Sequence, residues 1–198
     1  MFNSVYIDAG GHGGQSILRF KEMMGVIPNA RIYSFECHPR CYKKLKTFET
    51  DNIIVSDKAV WTHDGEMDFY LDMLDITKGS NVGQGIFPGQ GSTAYEAKTK
   101  KGSDGQFTKE SLVKVPCIDF SKWIKTELNK SDYIFLKMDI EGSEYEVLPK
   151  MIDTGAIDYL DDLDIEFHWH KIGIDKNIHD ELVDKLKNTE VNLNIRTH

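Results

Sequence analysis

Val5-Tyr6-Ile7-Asp8-Ala9-Gly10-Gly11-His12-Gly13-Gly14-Gln15-Ser16 is the stretch whose reading decides the fold. A short apolar run stops at a glycine cluster, and helical spacing then takes over at Ile17, Leu18, Phe20, Met23 and Met24. Pro28 closes that helix, and Arg31-Ile32-Tyr33-Ser34-Phe35-Glu36 reads as a second strand from its β-rich, alternating content. Tyr42, Leu45 and Phe48 mark a second helix face, and Ile53-Ile54-Val55 opens a third strand that is read as running on toward Ala59-Val60-Trp61. Strand, helix, strand, helix, strand in that order predicts parallel pairing through crossover helices.

The same alternation resumes further on. Tyr133 to Asp139 is a strand ending in a carboxylate, Glu144 to Met151 a helix, Leu163 to Phe167 a strand, Asp180 to Leu186 a helix, and Val191 to Ile195 a half-exposed edge strand. Between the two runs, His63-Asp64-Gly65-Glu66 predicts a hairpin turn into Met67–Leu71. Val113–Pro116 returns as a strand, and Phe120–Leu128 is helical. Residues 77–106 hold seven glycines and four lysines. A loop of that length inside a compact domain is usually functional. The predicted fold is an α/β single domain over 1–198: an open, doubly wound, mostly parallel sheet of six to seven strands. It carries an antiparallel insertion at about 72–116 and the long Gly-rich loop. The chain starts almost directly at its first strand, so it reads as a minimal domain or as one domain of a longer chain.

Composition narrows the partners. The 198 residues carry 24 Lys+Arg against 32 Asp+Glu, a formal charge of −8. That balance argues against duplex nucleic acid and anionic membrane surfaces, which both need a basic footprint. Three cysteines, Cys37, Cys41 and Cys117, cannot make a paired framework, which suggests a reducing, cytoplasmic setting. No apolar stretch reaches the length of a membrane span. Cys37-His38-x-x-Cys41 has metal-ligand residue types but lacks the four ligands of a closed zinc site.

In open α/β sheets, ligands bind beyond the carboxyl ends of the strands. There the sequence places the Asp8–Ser16 loop, then Glu36, then Ser56-Asp57-Lys58-Ala59, then Asp139-Ile140-Glu141-Gly142-Ser143-Glu144, then Glu166-Phe167-His168-Trp169-His170. The glycines do not fit the dinucleotide fingerprint G-x-G-x-x-G, since Gly11-x-Gly13-x-x leads to Ser16. A Walker A loop is absent. Asp8, two positions before the first glycine, would repel a pyrophosphate and suit a cofactor with an amine and a positive charge, as S-adenosylmethionine has. Glu36 ends its strand as a ribose-binding carboxylate does.

Asp8-x-Gly10-Gly11-His12-x-Gly14-Gln15-Ser16, Phe35-Glu36-x-x-Pro39, Ala59-Val60-Trp61, Leu136-Lys137-Met138-Asp139-Ile140-Glu141-Gly142-Ser143-Glu144 and Glu166-x-His168 together resemble the FkbM-type methyltransferases. These are class I, Rossmann-like enzymes dependent on S-adenosylmethionine. The similarity runs in order over about residues 5 to 170, with the Lys137–Glu144 segment its most specific part. The resemblance implies a cofactor site built from Asp8, Gly10, Gly11, His12, Gly14, Ser16, Glu36, Cys37, Asp57, Lys58, Ala59 and Asp139, with Asp57 toward the adenine. It implies methyl transfer to a hydroxyl, often on a sugar, with S-adenosylhomocysteine as product. Class I enzymes normally add a seventh, antiparallel strand, for which the sequence offers no second candidate after its last helix.

A sugar hydroxyl is a weak acid and must lose its proton to a base or a metal. His168 is the preferred base, because Glu166 and His168 share one side of an extended chain. His170 follows on that face, and His12 is a further candidate. Asp139, Glu141 and Glu166 are alternatively ligands for Mg²⁺ or Mn²⁺, since hard cations choose oxygen. Lys78, Lys98, Lys100 and Lys101 make the Gly-rich segment locally basic, which predicts an anionic group on the acceptor or its carrier. Tyr95 and Phe87 are read as sugar-stacking rings. The expected partner is a small-molecule or glycan acceptor. The competing readings are a nicotinamide-dependent oxidoreductase, which shares Glu36, and a methyltransferase of nucleic-acid ribose.

Overall fold

A computed structural model describes residues 4–24, 30–73, 89, 91–100 and 106–196. The helix end predicted at Pro28, most of the Gly-rich segment with Lys78, Phe87 and Lys101, and the side chains of Met23 and Met24 lie outside the described residues.

The main sheet has six strands: β1 (Ser4–Ala9), β2 (Arg31–Phe35), β3 (Ile53–Ser56), β7 (Tyr133–Met138), β8 (Asp162–Glu166) and β9 (Asn192–Arg196). Their spatial order is β3-β2-β1-β7-β8-β9, and all the pairings in it are parallel. The order reverses at β1, whose two neighbours β2 and β7 are reached by connections running in opposite directions. A crevice opens at such a point beyond the strands' carboxyl ends. The edge strand β9 pairs in parallel with β8.

Alternation explains the two covered faces. Val5, Ile7 and Ala9 point into a core shared with α4 (Phe120–Glu127), α5 (Glu144–Asp153) and α7 (Lys176–Lys187). Tyr6 and Ile32 point the other way, onto Ile17 and Phe20 of α1 (Gln15–Met24) and Leu45 of α2 (Pro39–Leu45). The rings of Tyr6 and Phe20 stack at 5.2 Å. Each buried aliphatic or aromatic side chain stabilises the fold by about 1.5–3 kcal/mol. Leu18, read from its spacing as part of the buried face, is instead 53% exposed, because it sits one residue off the Ile17–Phe20 stripe.

Local chemistry sets the helix starts. His38 caps α2 by accepting from the Arg40 amide, with Pro39 in the first turn where no amide is needed. Asp119 caps α4 through the Lys122 amide, and Asp175 caps α7 through that of Asn177.

Two expectations are corrected in the insertion. The third strand does not run on to Trp61: it stops at Ser56, and β4 (Ala59–Trp61) joins a second sheet. The turn at His63–Glu66 does not close a hairpin either. β6 (Leu112–Asp119) lies between β4 and β5 (Gly65–Tyr70), parallel to the first and antiparallel to the second. The return strand is long and apolar on one face through Val115 and Cys117, so it takes the central place and leaves β4 and β5 as edges. Among the described residues, no helix is long and apolar enough to cross a membrane.

Candidate active site

A cleft of about 740 Å³ opens at the point where the strand order reverses, within the size range of about 300–1,000 Å³ usual for small-molecule sites. Its floor is the glycine loop. Gly10 and Gly11 amides both donate to the Phe35 carbonyl, at 3.1 and 2.9 Å, which ties the loop to the end of β2. Gly10 has φ +84°, and a Cβ there would lie 1.8 Å from the Asp139 carbonyl oxygen, so only glycine lets β1 and β7 end this close together.

Beneath the loop runs a polar row set by strand register. Asp8 lies opposite Ser34 on one side and Lys137 on the other, and Lys137 lies opposite Asp164. The fully buried Asp8 accepts from Ser34 Oγ at 3.0 Å and pairs with Lys137 Nζ at 3.2 Å. Lys137 also donates to the Gly10 carbonyl at 2.7 Å and lies 3.6 Å from Asp139. Burial opposes the charge of Lys137, but Asp8 and Asp139 outweigh it and its pKa rises. Asp8 thus fastens the loop from below, while its predicted role was to face the cofactor directly. The carboxylate is short, and a strand side chain in this row reaches its neighbours in the sheet before it reaches the cleft.

Glu36 closes one end of the cleft. Its two oxygens accept from the amides of His12 (2.8 Å) and His38 (2.6 Å), which holds His12 at φ +44° over the loop. Burial pushes the Glu36 carboxyl up in pKa, with the two amides and the charges of His12 and Lys137 pulling it back. A carboxylate has roughly four acceptor positions, and these two amides take one each. Gly11, Ser16, Cys37, Lys58 and Ala59 line the same end. Gly14 is packed against Phe48, and Asp57 is exposed at the β3–β4 junction; neither lines the cleft.

The other end is acidic. Asp139, Glu141, Glu166 and His170 line it, together with Arg196 of β9. Behind them His168 is fully buried. Its Nδ1 meets Glu144 Oε1 at 3.1 Å, and its Nε2 faces Glu166 at 3.0 Å, Glu141 at 3.5 Å and Asp139 at 3.8 Å. Burial disfavours the imidazolium, but the bonds to Glu144 and Glu166 and the charges of Glu144 and Glu141 outweigh it. The pKa is pushed up to about 10. The predicted meeting of Glu166 and His168 is present, and the surrounding carboxylates favour the protonated imidazole. Arg196 reaches Asp139 (3.5 Å), Asp164 (3.3 Å) and Glu166 (3.5 Å) and fixes the carboxylates from the edge strand.

The insertion is fastened to this end. The fully buried Lys98, on the short helix α3 (Glu96–Thr99), bonds Glu141 and donates to the Gly91 carbonyl at 3.0 Å. Thr93 Oγ1 donates to the Glu141 carbonyl at 2.7 Å. Lys98, expected to meet an anionic acceptor, is thus engaged within the protein. Lys100 is exposed and paired with Glu96 at 2.8 Å, and Tyr95 packs beside Gly142.

Sequence reasoning missed Ser34 and Arg196 as parts of the site, and quoted Lys137 and Glu144 without giving them a role in it. Lys137 carried a signal: a lysine inside an otherwise apolar buried strand needs a charged partner. Arg196 carried none, since an arginine on an edge strand is ordinary.

A parallel α/β sheet with a glycine loop on the reversing strand and a carboxylate at the tip of the next defines a fold of the Rossmann-like class. The family model of the methyltransferase FkbM domain matches residues 8–190. The chain belongs to the FkbM methyltransferase family. No curated protein and no solved structure matches it.

Proposed function

We propose that the protein transfers the methyl group of S-adenosylmethionine to a hydroxyl of a sugar or glycan. The observation that carries this reading is one continuous cleft with a glycine floor and ribose-type carboxylate at one end and a carboxylate–histidine cluster at the other. The residues fit the cofactor. Gly10 and Gly11 let the loop lie down on Asp139 and Ser34 while lining the cleft, Glu36 offers a carboxylate to a ribose diol, and the acidic lining suits a cation. Gly10, Gly11, His12, Ser16, Glu36, Cys37, Lys58, Ala59 and Asp139 would hold it, with Asp8, Gly14 and Asp57 acting from outside the lining. When bound, the cofactor supplies an electrophilic methyl group on a sulfonium.

The chain's own task is alignment, which contributes about 7–11 kcal/mol when reacting atoms are held in line. Glu166, at the cleft surface, receives the hydroxyl proton, and Asp139 orients the hydroxyl. His168 holds both carboxylates in place from behind, and His170 stands at the rim beside the acceptor. The thiols of Cys37, Cys41 and Cys117 are not in disulfides, which supports a cytoplasmic setting. The failed dinucleotide fingerprint disfavours the nicotinamide alternative, and the net charge of −8 disfavours a nucleic-acid ribose.

Incubation with methyl-labelled S-adenosylmethionine and a panel of free sugars, nucleotide sugars and oligosaccharides tests the reading. Label on a sugar oxygen, lost in Glu166→Gln, is expected. Label appearing on nitrogen, sulfur or RNA ribose instead would contradict it.

A further inference from the structure

We propose that Asp139, Glu141 and His168 form a binding site for one divalent transition-metal ion of the Mn²⁺ or Fe²⁺ type at the acceptor end of the cleft. The ligand atoms of these three residues all lie within 4.8 Å of one another. From His168 Nε2 the distance is 3.5 Å to Glu141 Oε2 and 3.8 Å to Asp139 Oδ1. Neighbouring ligands of an ion held at about 2.1 Å sit about 3 Å apart, so small rotamer changes close the set. One imidazole with two carboxylates suits Mn²⁺ or Fe²⁺ better than Mg²⁺, which prefers oxygen alone. The set expected from sequence, Asp139, Glu141 and Glu166, is thereby altered, with His168 in place of Glu166.

The surroundings are those of a metal-ligating histidine, whose second nitrogen is normally held by a carboxylate. Glu144 does this at Nδ1, and it is fully buried. Its oxygens also accept from the amides of Ile140 and Gly142, both at 2.9 Å. One carboxylate therefore aims the imidazole and shapes the turn that presents Glu141, itself at φ +56°. Asp139 turns Oδ1 toward His168, while its Oδ2 takes Lys137 and Arg196. Asp139 and Glu141 line the cleft, so the ion would keep an open side toward a ligand. There it would polarise a hydroxyl oxygen and make its proton easier to remove, a role that rests on the methyl-transfer reading, although the site itself does not.

The test uses Mn²⁺ alone with the full chain, with and without S-adenosylhomocysteine, followed by electron paramagnetic resonance. The expected result is one ion per chain, with ¹⁴N coupling from a coordinated imidazole. Affinity should fall at least tenfold in Asp139→Asn and in His168→Gln. No stoichiometric binding up to millimolar Mn²⁺, or binding with no nitrogen coupling, overturns the proposal and leaves the His168 imidazolium as the cluster's cation. Because the nitrogen coupling is read on the unaltered protein, misfolding of a variant does not decide the matter. Calorimetry with S-adenosylhomocysteine on the same preparation separates failure of the ion site from failure of the methyltransferase reading.

Discussion

Glu144 and His168 stand 24 residues apart and meet at 3.1 Å, both without exposed surface. Their contact joins the turn after β7 to the end of β8, so the acidic end of the cleft is built as one unit. In Glu144→Ala the amides of Ile140 and Gly142 lose their acceptor and the buried imidazole loses a partner. Breaking such a buried charged network costs about 3–5 kcal/mol. The urea midpoint should fall accordingly with an unchanged slope, and Glu144→Gln should recover part of the loss.

The glycine loop offers an internal control. Gly10→Ala pushes a Cβ into the Asp139 backbone from a left-handed conformation. Strain and overpacking together cost about 2–5 kcal/mol. At Gly13 the nearest atoms are the flexible ends of Lys44 and Gln15, at 3.1 Å and beyond. Gly13→Ala should therefore stay within about 1 kcal/mol of the parent. Thermal unfolding of the two variants side by side checks the contrast; equal destabilisation would contradict it.

Lys98 and Glu141 tie the insertion to the turn after β7. Lys98→Met leaves Glu141 without its ammonium in a half-buried place, and Glu141→Gln removes the charge that needs it. The double variant should be less damaged than the sum of the singles, by about 0.5–3 kcal/mol in a double-mutant cycle. Simple additivity would show that the pair does not fasten the insertion.

A separate histidine sets a pH dependence away from the cleft's acidic end. His38 is buried, accepts from the Arg40 amide and lies 3.1 Å from the Asp72 carbonyl. Burial holds its pKa below the ordinary 6.5, against the pull of Asp72. The unfolded chain therefore binds this proton first. The stability it contributes is present above pH 6.5 and is lost as pH falls through the lower folded value. Urea midpoints at pH 7.5 and 5.5 should differ less in His38→Gln than in the parent.

Strand and helix order was legible because the apolar runs of β1, β2 and β7 are largely buried on both faces, β8 alternates cleanly, and glycine, proline and capping residues punctuate them. Asp139 was legible as a cleft-lining residue because it is the first polar group past the β7 run, and Glu166 because it ends β8. The departure of Ala59–Trp61 into a second sheet was not, because a three-residue apolar strand reads alike in either sheet. The role of Asp8 was also hidden. Its burial depends on Ser34 and Lys137 lying opposite it, and register across three strands is a tertiary fact. Lys98 looked like a surface charge because its partner, Glu141, is 43 residues away.

Calorimetric titration with S-adenosylhomocysteine, beside an NAD control, is the most direct test of the central claim. The account predicts micromolar binding of the first and none of the second, with affinity at least tenfold weaker in Glu36→Gln. Binding of NAD but not of S-adenosylhomocysteine would contradict it.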